Sequence, residues 1–138
     1  MLFLVALAGC SVKQSTVSSE SAQPIQVETL AKSTSSWDGR PLPSYPQGQA
    51  EITVLKITIQ PGVTLNWHKH PVMNAGVLLS GQLRVESISG EVLQLRKGDT
   101  IIELVDKWHH GINDGLEPAE VIVFYAGQEG TPLSVERP

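Results

Sequence analysis

An all-β domain of the sandwich or barrel type is what this sequence predicts, on three observations. From residue 51 onward the chain is a series of short runs rich in β-branched residues. Gly and Pro turns break those runs at close intervals. No stretch carries the three-to-four-residue apolar period and the end caps of a long helix. The 138 residues suffice for one domain with one closed core, not for two. The net charge of -4, with Lys and Arg scattered rather than clustered, argues against a nucleic-acid partner, because neutralising phosphates requires a basic patch.

The apolar opening, Met1 to Cys10, is too short to cross a bilayer, which takes about 20 residues, but suits the apolar core of a secretory signal over residues 1–9. Its end, Leu7-Ala8-Gly9-Cys10, resembles a bacterial lipoprotein signal, in which small residues precede a cysteine that is lipidated. No Lys or Arg precedes the apolar run, a departure from that pattern, and the competing reading is a buried amino-terminal strand with an incidental cysteine. Cys10 is the single cysteine of the chain, and lipidation would consume it. Residues 10–23, rich in Ser, Thr and Gln, cannot bury enough apolar surface to offset their ordering entropy and read as a flexible tether. The resemblance implies an exported, lipid-anchored protein of the cell envelope. Ser11 rather than Asp after the cysteine suggests the outer membrane, facing the periplasm.

Residues 24–50 read as an amino-terminal strand and a Pro/Gly-rich loop packing on the barrel. Ile25, Val27 and Leu30 give the strand its apolar side. Ser35 to Gly48, with Asp38-Gly39 and three prolines, excludes a helix interior or central strand, and Trp37, Leu42 and Tyr45 would hold it against one end of the barrel or form a substrate lid. Barrel strands are expected at Glu51–Ile59, Asn74–Leu79, Leu83–Ser87, Val92–Arg96, Thr100–Val105 and Ala119–Ala126, within a domain over residues 51–138. The exposed edges of such a barrel and the apolar run Val121 to Tyr125 allow a homodimer.

All four histidines fall in two places. His68 and His70 lie two apart in a strand-like run, so their side chains share a face while Lys69 points away. His109 and His110 form the second cluster, and as neighbours in a strand they face opposite ways. The order Gly62, His68-x-His70, Asn74, Gly81 resembles the first motif of the cupin family, and Gly98, His109, Asn113 resembles the second. The likeness runs from about Glu51 to Ala126. It implies a cupin-type jelly-roll barrel with His68, His70 and His109 as metal ligands pointing inward, and His110 as an outward or supporting residue. Two departures stand out. Asn74 occupies the place of the usual metal-binding glutamate, and Leu104-Val-Asp106-Lys-Trp stands where Pro-x-Gly usually precedes the histidine.

Three neutral imidazoles suit one divalent transition metal ion, Fe, Mn, Zn, Ni or Cu, better than Mg or Ca. Lacking a carboxylate at position 74, the site would keep the ion's full charge and favour anionic ligands. Glu103 is the one acidic residue near the second motif able to restore a carboxylate, as ligand or general base; a solvated polar position is the alternative. Trp67 and Trp108, each preceding a histidine, pack in the wall or stack on a substrate. The resemblance implies a mononuclear metal-dependent enzyme, dioxygenase-like or of another Lewis-acid chemistry, acting on a small molecule, with Asn74 or Glu103 as catalytic residues. The alternative is a non-catalytic envelope lipoprotein that binds a small ligand or a metal.

Overall fold

A computed structural model describes residues 24–138; the expected signal, Cys10 and the tether lie outside the described residues. The described chain forms nine strands: β1 (Ala50–Ile59), β2 (His68–Lys69), β3 (Met73–Ser80), β4 (Gln82–Ser87), β5 (Val92–Arg96), β6 (Thr100–Ile102), β7 (His109–Ile112), β8 (Ala119–Gln128) and β9 (Val135–Glu136). They make two antiparallel sheets, ordered β1-β8-β3-β6 and β5-β4-β7-β2-β9. The architecture is the all-β jelly roll that the turn spacing and the two motifs predicted.

Period-two alternation sets the two faces. In β8, Ala119, Val121, Val123 and Tyr125 point inward and are buried, whereas Phe124 on the other face is exposed. In β4, Leu83 and Val85 point inward and Arg84 and Glu86 outward. The inner faces meet in one core that includes Ile59, Leu78, Leu95 and Ile101. Burial of each such aliphatic side chain contributes roughly 1.5–3 kcal/mol. A one-residue slip of β8 would turn Val121 and Val123 to solvent, so the core also holds the register.

The chain passes from one sheet to the other between β3 and β4 at Gly81, just after a register shift between Leu78 and Ser80. Gly81 has φ 70°, and a Cβ there would stand 2.6 Å from the Pro118 carbonyl oxygen. Gly90, in the β4–β5 turn, has φ 91° with nothing within 4 Å of such a Cβ. Gly90→Ala therefore carries only the left-handed backbone cost, about 1–2 kcal/mol, and Gly81→Ala adds a clash with backbone. Urea denaturation is expected to find Gly81→Ala the less stable of the two by at least about 1–2 kcal/mol; equal losses would show that the sheet crossing relaxes freely.

Three expectations need correction. Residues 24–31 form no strand: Ile25, Val27 and Leu30 are exposed, and among the described residues the segment is held by a hydrogen bond from Thr100 Oγ1 to the Leu30 carbonyl. Alternation alone cannot make a strand without an edge to pair with. The strand expected over Thr100–Val105 ends at Ile102; Glu103 N donates to the Asn74 carbonyl, and Val105 makes one parallel bridge to His70. In the Pro-rich loop, Trp37 packs on the core and Leu42 is half-buried, but Tyr45 is exposed.

Candidate metal centre

His68 lies on β2 opposite His109 on β7, and His70 follows just beyond β2. This register sets the three imidazoles around one point: a ring nitrogen of each lies within 4.8 Å of the others. All three rings make the same second contact. His68 Nδ1 lies 2.7 Å from the Asn66 carbonyl, His70 Nδ1 2.8 Å from that of Leu133, and His109 Nδ1 2.8 Å from that of Lys107. A carbonyl oxygen can only accept, so each Nδ1 carries the proton and each Nε2 keeps a lone pair. Three lone pairs thus converge from rings whose orientation is set by backbone.

Glu103 completes the arrangement. Its Oε2 lies 3.4 Å from His109 Nε2, and neither atom has a hydrogen-bond donor among the described residues. Two buried acceptors facing each other are costly unless a cation or a proton lies between them. A cation at the three rings would relieve both, and the three imidazole nitrogens, which lie within 4.8 Å of one another, fit the metal that the cupin likeness implies, with the Glu103 carboxyl beside His109 rather than within that group. Burial pushes the Glu103 carboxyl up, against the lowering influence of His70 and His68. Burial likewise lowers His70 and takes His109 down to about 4, so both imidazoles are neutral and ready to coordinate near pH 7.

The cavity at this centre has a volume of about 70 Å³, and aliphatic side chains such as Ile59, Leu83, Val121 and Val123 form much of its lining. That is room for a molecule of a few non-hydrogen atoms, since one water occupies about 30 Å³. A wider opening shares Ile57, Leu65, His68, His70 and Tyr125 with the cavity and leads out past Leu133 and Glu136. Tyr125 projects from β8 beside the His70 ring, with centroids 5.7 Å apart. Burial and the neighbouring Glu103 push its hydroxyl up to about 12, so it remains a donor at the cavity wall. The sequence reading missed Tyr125. The available signal was its phase with Val121 and Val123, which makes it the one polar tip on the inner side of β8.

The other expected site residues fall elsewhere. Asn74 is buried on the inner side of β3, yet it does not line the cavity; its Nδ2 donates to the Val72 carbonyl at 3.4 Å and its Oδ1 has no partner among the described residues. His110 turns to the opposite face of β7, stacked on Trp67 at 4.1 Å with Nε2 3.3 Å from Glu86 Oε2. Neither Trp67 nor Trp108 lines the cavity. Lys69 points away from the centre and sits over the Trp108 ring.

Residues 55–125, just over half of the chain, match the family described as the Cupin domain. No curated protein matches the sequence. Among solved structures, the oxalate decarboxylase of Lactobacillus farciminis in its formate complex is similar at a TM-score of 0.56 and 19% identity, over 64% of this chain and 27% of that one. An oxalate oxidase in complex with the substrate analogue glycolate gives 0.53 and 22%, over 62% and 45%. The DMSP lyase DddQ from Ruegeria pomeroyi gives 0.55 and 18%, over 71% and 46%. The chain spans less than half the length of each of these proteins, and the likeness shows a shared fold.

Proposed function

The chain belongs to the cupin domain family, and from that premise we propose that it is a metal-dependent enzyme acting on a small carboxylate. In this reading Nε2 of His68, His70 and His109 hold one divalent transition metal, of which Mn, Fe, Zn, Ni and Cu are candidates, and the Glu103 carboxyl stands beside them at His109. The observation that carries the reading is the unpartnered pair His109 Nε2 and Glu103 Oε2, set among three rings whose Nδ1 atoms are all tied to carbonyls. When bound, such an ion supplies Lewis-acid polarisation or oxygen activation.

The rest of the chemistry falls to this chain's own groups. Tyr125 donates a hydrogen bond to an anionic oxygen at the cavity wall. Glu103, held in a buried setting that favours its proton, takes up or returns a proton beside His109. The aliphatic lining excludes bulk water and strengthens both interactions. The size of the cavity supports a substrate of few atoms, and the formate and glycolate complexes of the fold's relatives support a carboxylate.

Elemental analysis of the purified full chain beside His68→Ala is the direct test. About one equivalent of transition metal is expected in the wild type and strongly reduced content in the variant. Equal metal content in both removes the proposal. Turnover is then sought with small carboxylic acids under air and under argon. Stoichiometric metal with no turnover of any would favour a non-catalytic metal- or ligand-binding role.

The sequence Leu7-Ala8-Gly9-Cys10 supports a place for this activity at the cell envelope, through lipidation of Cys10. Labelled palmitate is expected to enter the protein in a bacterial host and to be lost in Cys10→Ala. Label retained without the cysteine would refute the anchor.

A further inference from the structure

The loop from Ser36 to Arg40 touches the metal centre nowhere, yet three of its contacts reach the segment that builds half of it. Ser36 Oγ donates to the Glu103 carbonyl at 2.8 Å, and Trp37 N donates to the Ile102 carbonyl at 2.9 Å. Asp38 Oδ2 accepts from Lys107 Nζ at 2.9 Å. The last pair is buried, with side-chain exposures of 1% for Asp38 and 10% for Lys107. Such a pair is stable only with its remaining hydrogen-bonding capacity filled. Here Asp38 Oδ1 accepts from Arg40 N, and Lys107 Nζ donates a second time, to Glu91 at 3.1 Å.

Residues 103–108 form no regular strand and turn sharply at Asp106, whose φ of 53° lies in the left-handed region that Asp adopts more readily than most residues, so contacts from outside the segment set its course. Its far side is held by Asp106 N donating to the His70 carbonyl. Within it lie the Glu103 carboxylate and the Lys107 carbonyl, which accepts the hydrogen bond from His109 Nδ1.

We propose that the buried Asp38–Lys107 ion pair is a positioning device for the metal centre: by fixing the Lys107 backbone it holds His109 in the Nδ1-protonated form with Nε2 turned toward Glu103. Asp38 and Lys107 are thus positioning residues, acting through His109. The inference rests on the metal-binding reading for its purpose but not for its geometry, and two measurements keep them apart.

The first uses metal-free full-length protein and reads the His109 ring nitrogens by long-range proton–nitrogen correlation NMR. Wild type is expected to show the Nδ1-protonated form alone, and Asp38→Asn and Lys107→Met a mixture of both forms. The second reads Co(II) affinity by competition with a chromophoric chelator, together with the visible Co(II) spectrum, at a temperature where circular dichroism shows every variant folded. Both variants are expected to bind about 10–100-fold more weakly, with a changed spectrum, the range found when a group supporting a ligand is lost. Lys56→Met, which breaks the exposed pair with Glu120, is expected to match the wild type in both measurements.

A wild-type His109 form and wild-type Co(II) affinity in variants that merely melt earlier would overturn the proposal, leaving the ion pair as a clasp for the loop. A wild type that takes up no Co(II) overturns the metal reading, and the NMR comparison then decides the positioning role alone. If Asp38→Asn and Lys107→Met do not fold, Asp38→Ser, which removes the charge partner of Lys107 but keeps a side-chain oxygen to accept from Arg40 N, takes their place. An unchanged His109 in that variant counts against the proposal.

Discussion

His109→Ala is expected to erase most of the stability that the metal confers. A ligand present at a thousandfold excess over its Kd stabilises the folded state by about 4 kcal/mol. For a domain of this size that corresponds to a rise in Tm on the order of 10–20 °C. His109 is 1% exposed and stands opposite both His68 and the Glu103 carboxylate, so its loss removes one of three nitrogens and opens a void. The void destabilises metal-free and metal-loaded protein alike. The quantity to read is therefore the Tm difference between chelator-treated and metal-loaded samples, measured for wild type and variant. A difference that survives intact in His109→Ala would show that the ion binds elsewhere.

Glu103→Gln is expected to act in opposite directions with and without metal. The folded carboxyl titrates above the unfolded value because burial disfavours its charge. A carboxyl with a raised folded pKa favours the folded state at pH values below its unfolded value of 4.5, and that advantage is lost as pH rises through the folded value. Above it, the metal-free protein holds a buried carboxylate next to the His109 lone pair. Glutamine cannot ionise and can donate from its amide to that lone pair, so metal-free Glu103→Gln should gain stability over wild type progressively as pH rises above the unfolded value of 4.5 and through the folded one.

His109 contributes with the other sign. Its pKa falls to about 4 in the folded state, so stability is lost as pH drops from 6.5 toward 4, in both proteins. It is felt only below about pH 6.5 and more strongly in the glutamine variant, whose amide opposes protonation of the His109 lone pair, so the comparison is read above that pH. With metal bound the order should reverse, since glutamine lacks the negative charge that faces the ion. Urea denaturation of the two proteins across that pH range, with chelator and with metal, gives both arms. A metal-free glutamine variant less stable than wild type at pH 8 would show that Glu103 is already satisfied by some other donor.

Where the chain speaks in local patterns, the sequence was a good guide. Alternation in Leu83–Ser87 and Ala119–Ala126 located β4 and β8 and told their inner from their outer faces, because a sheet with one buried face imposes period two on its residues. The same rule assigned His68 and His70 to one side and separated His109 from His110. It failed at Ile25, Val27 and Leu30, where the pattern is present but no edge pairs with it. It also reached too far at the second motif, where the strand expected to Val105 stops at Ile102, three residues short, and the chain bends toward Asp106.

By itself the sequence determined the all-β class, the positions of the principal strands, and the identity of the three histidines that share a face or a motif. These follow from side-chain type and spacing within a few residues. Only the tertiary structure decided that the Glu103 carboxyl stands beside His109 while Asn74 stays off the cavity, that Tyr125 lines it, and that Lys107, Asn66 and Leu133 lend the carbonyls that orient the rings. Those roles depend on backbone atoms and on contacts between segments as far apart as His70 and Leu133, and a backbone carbonyl leaves no mark in the side-chain pattern that a sequence displays.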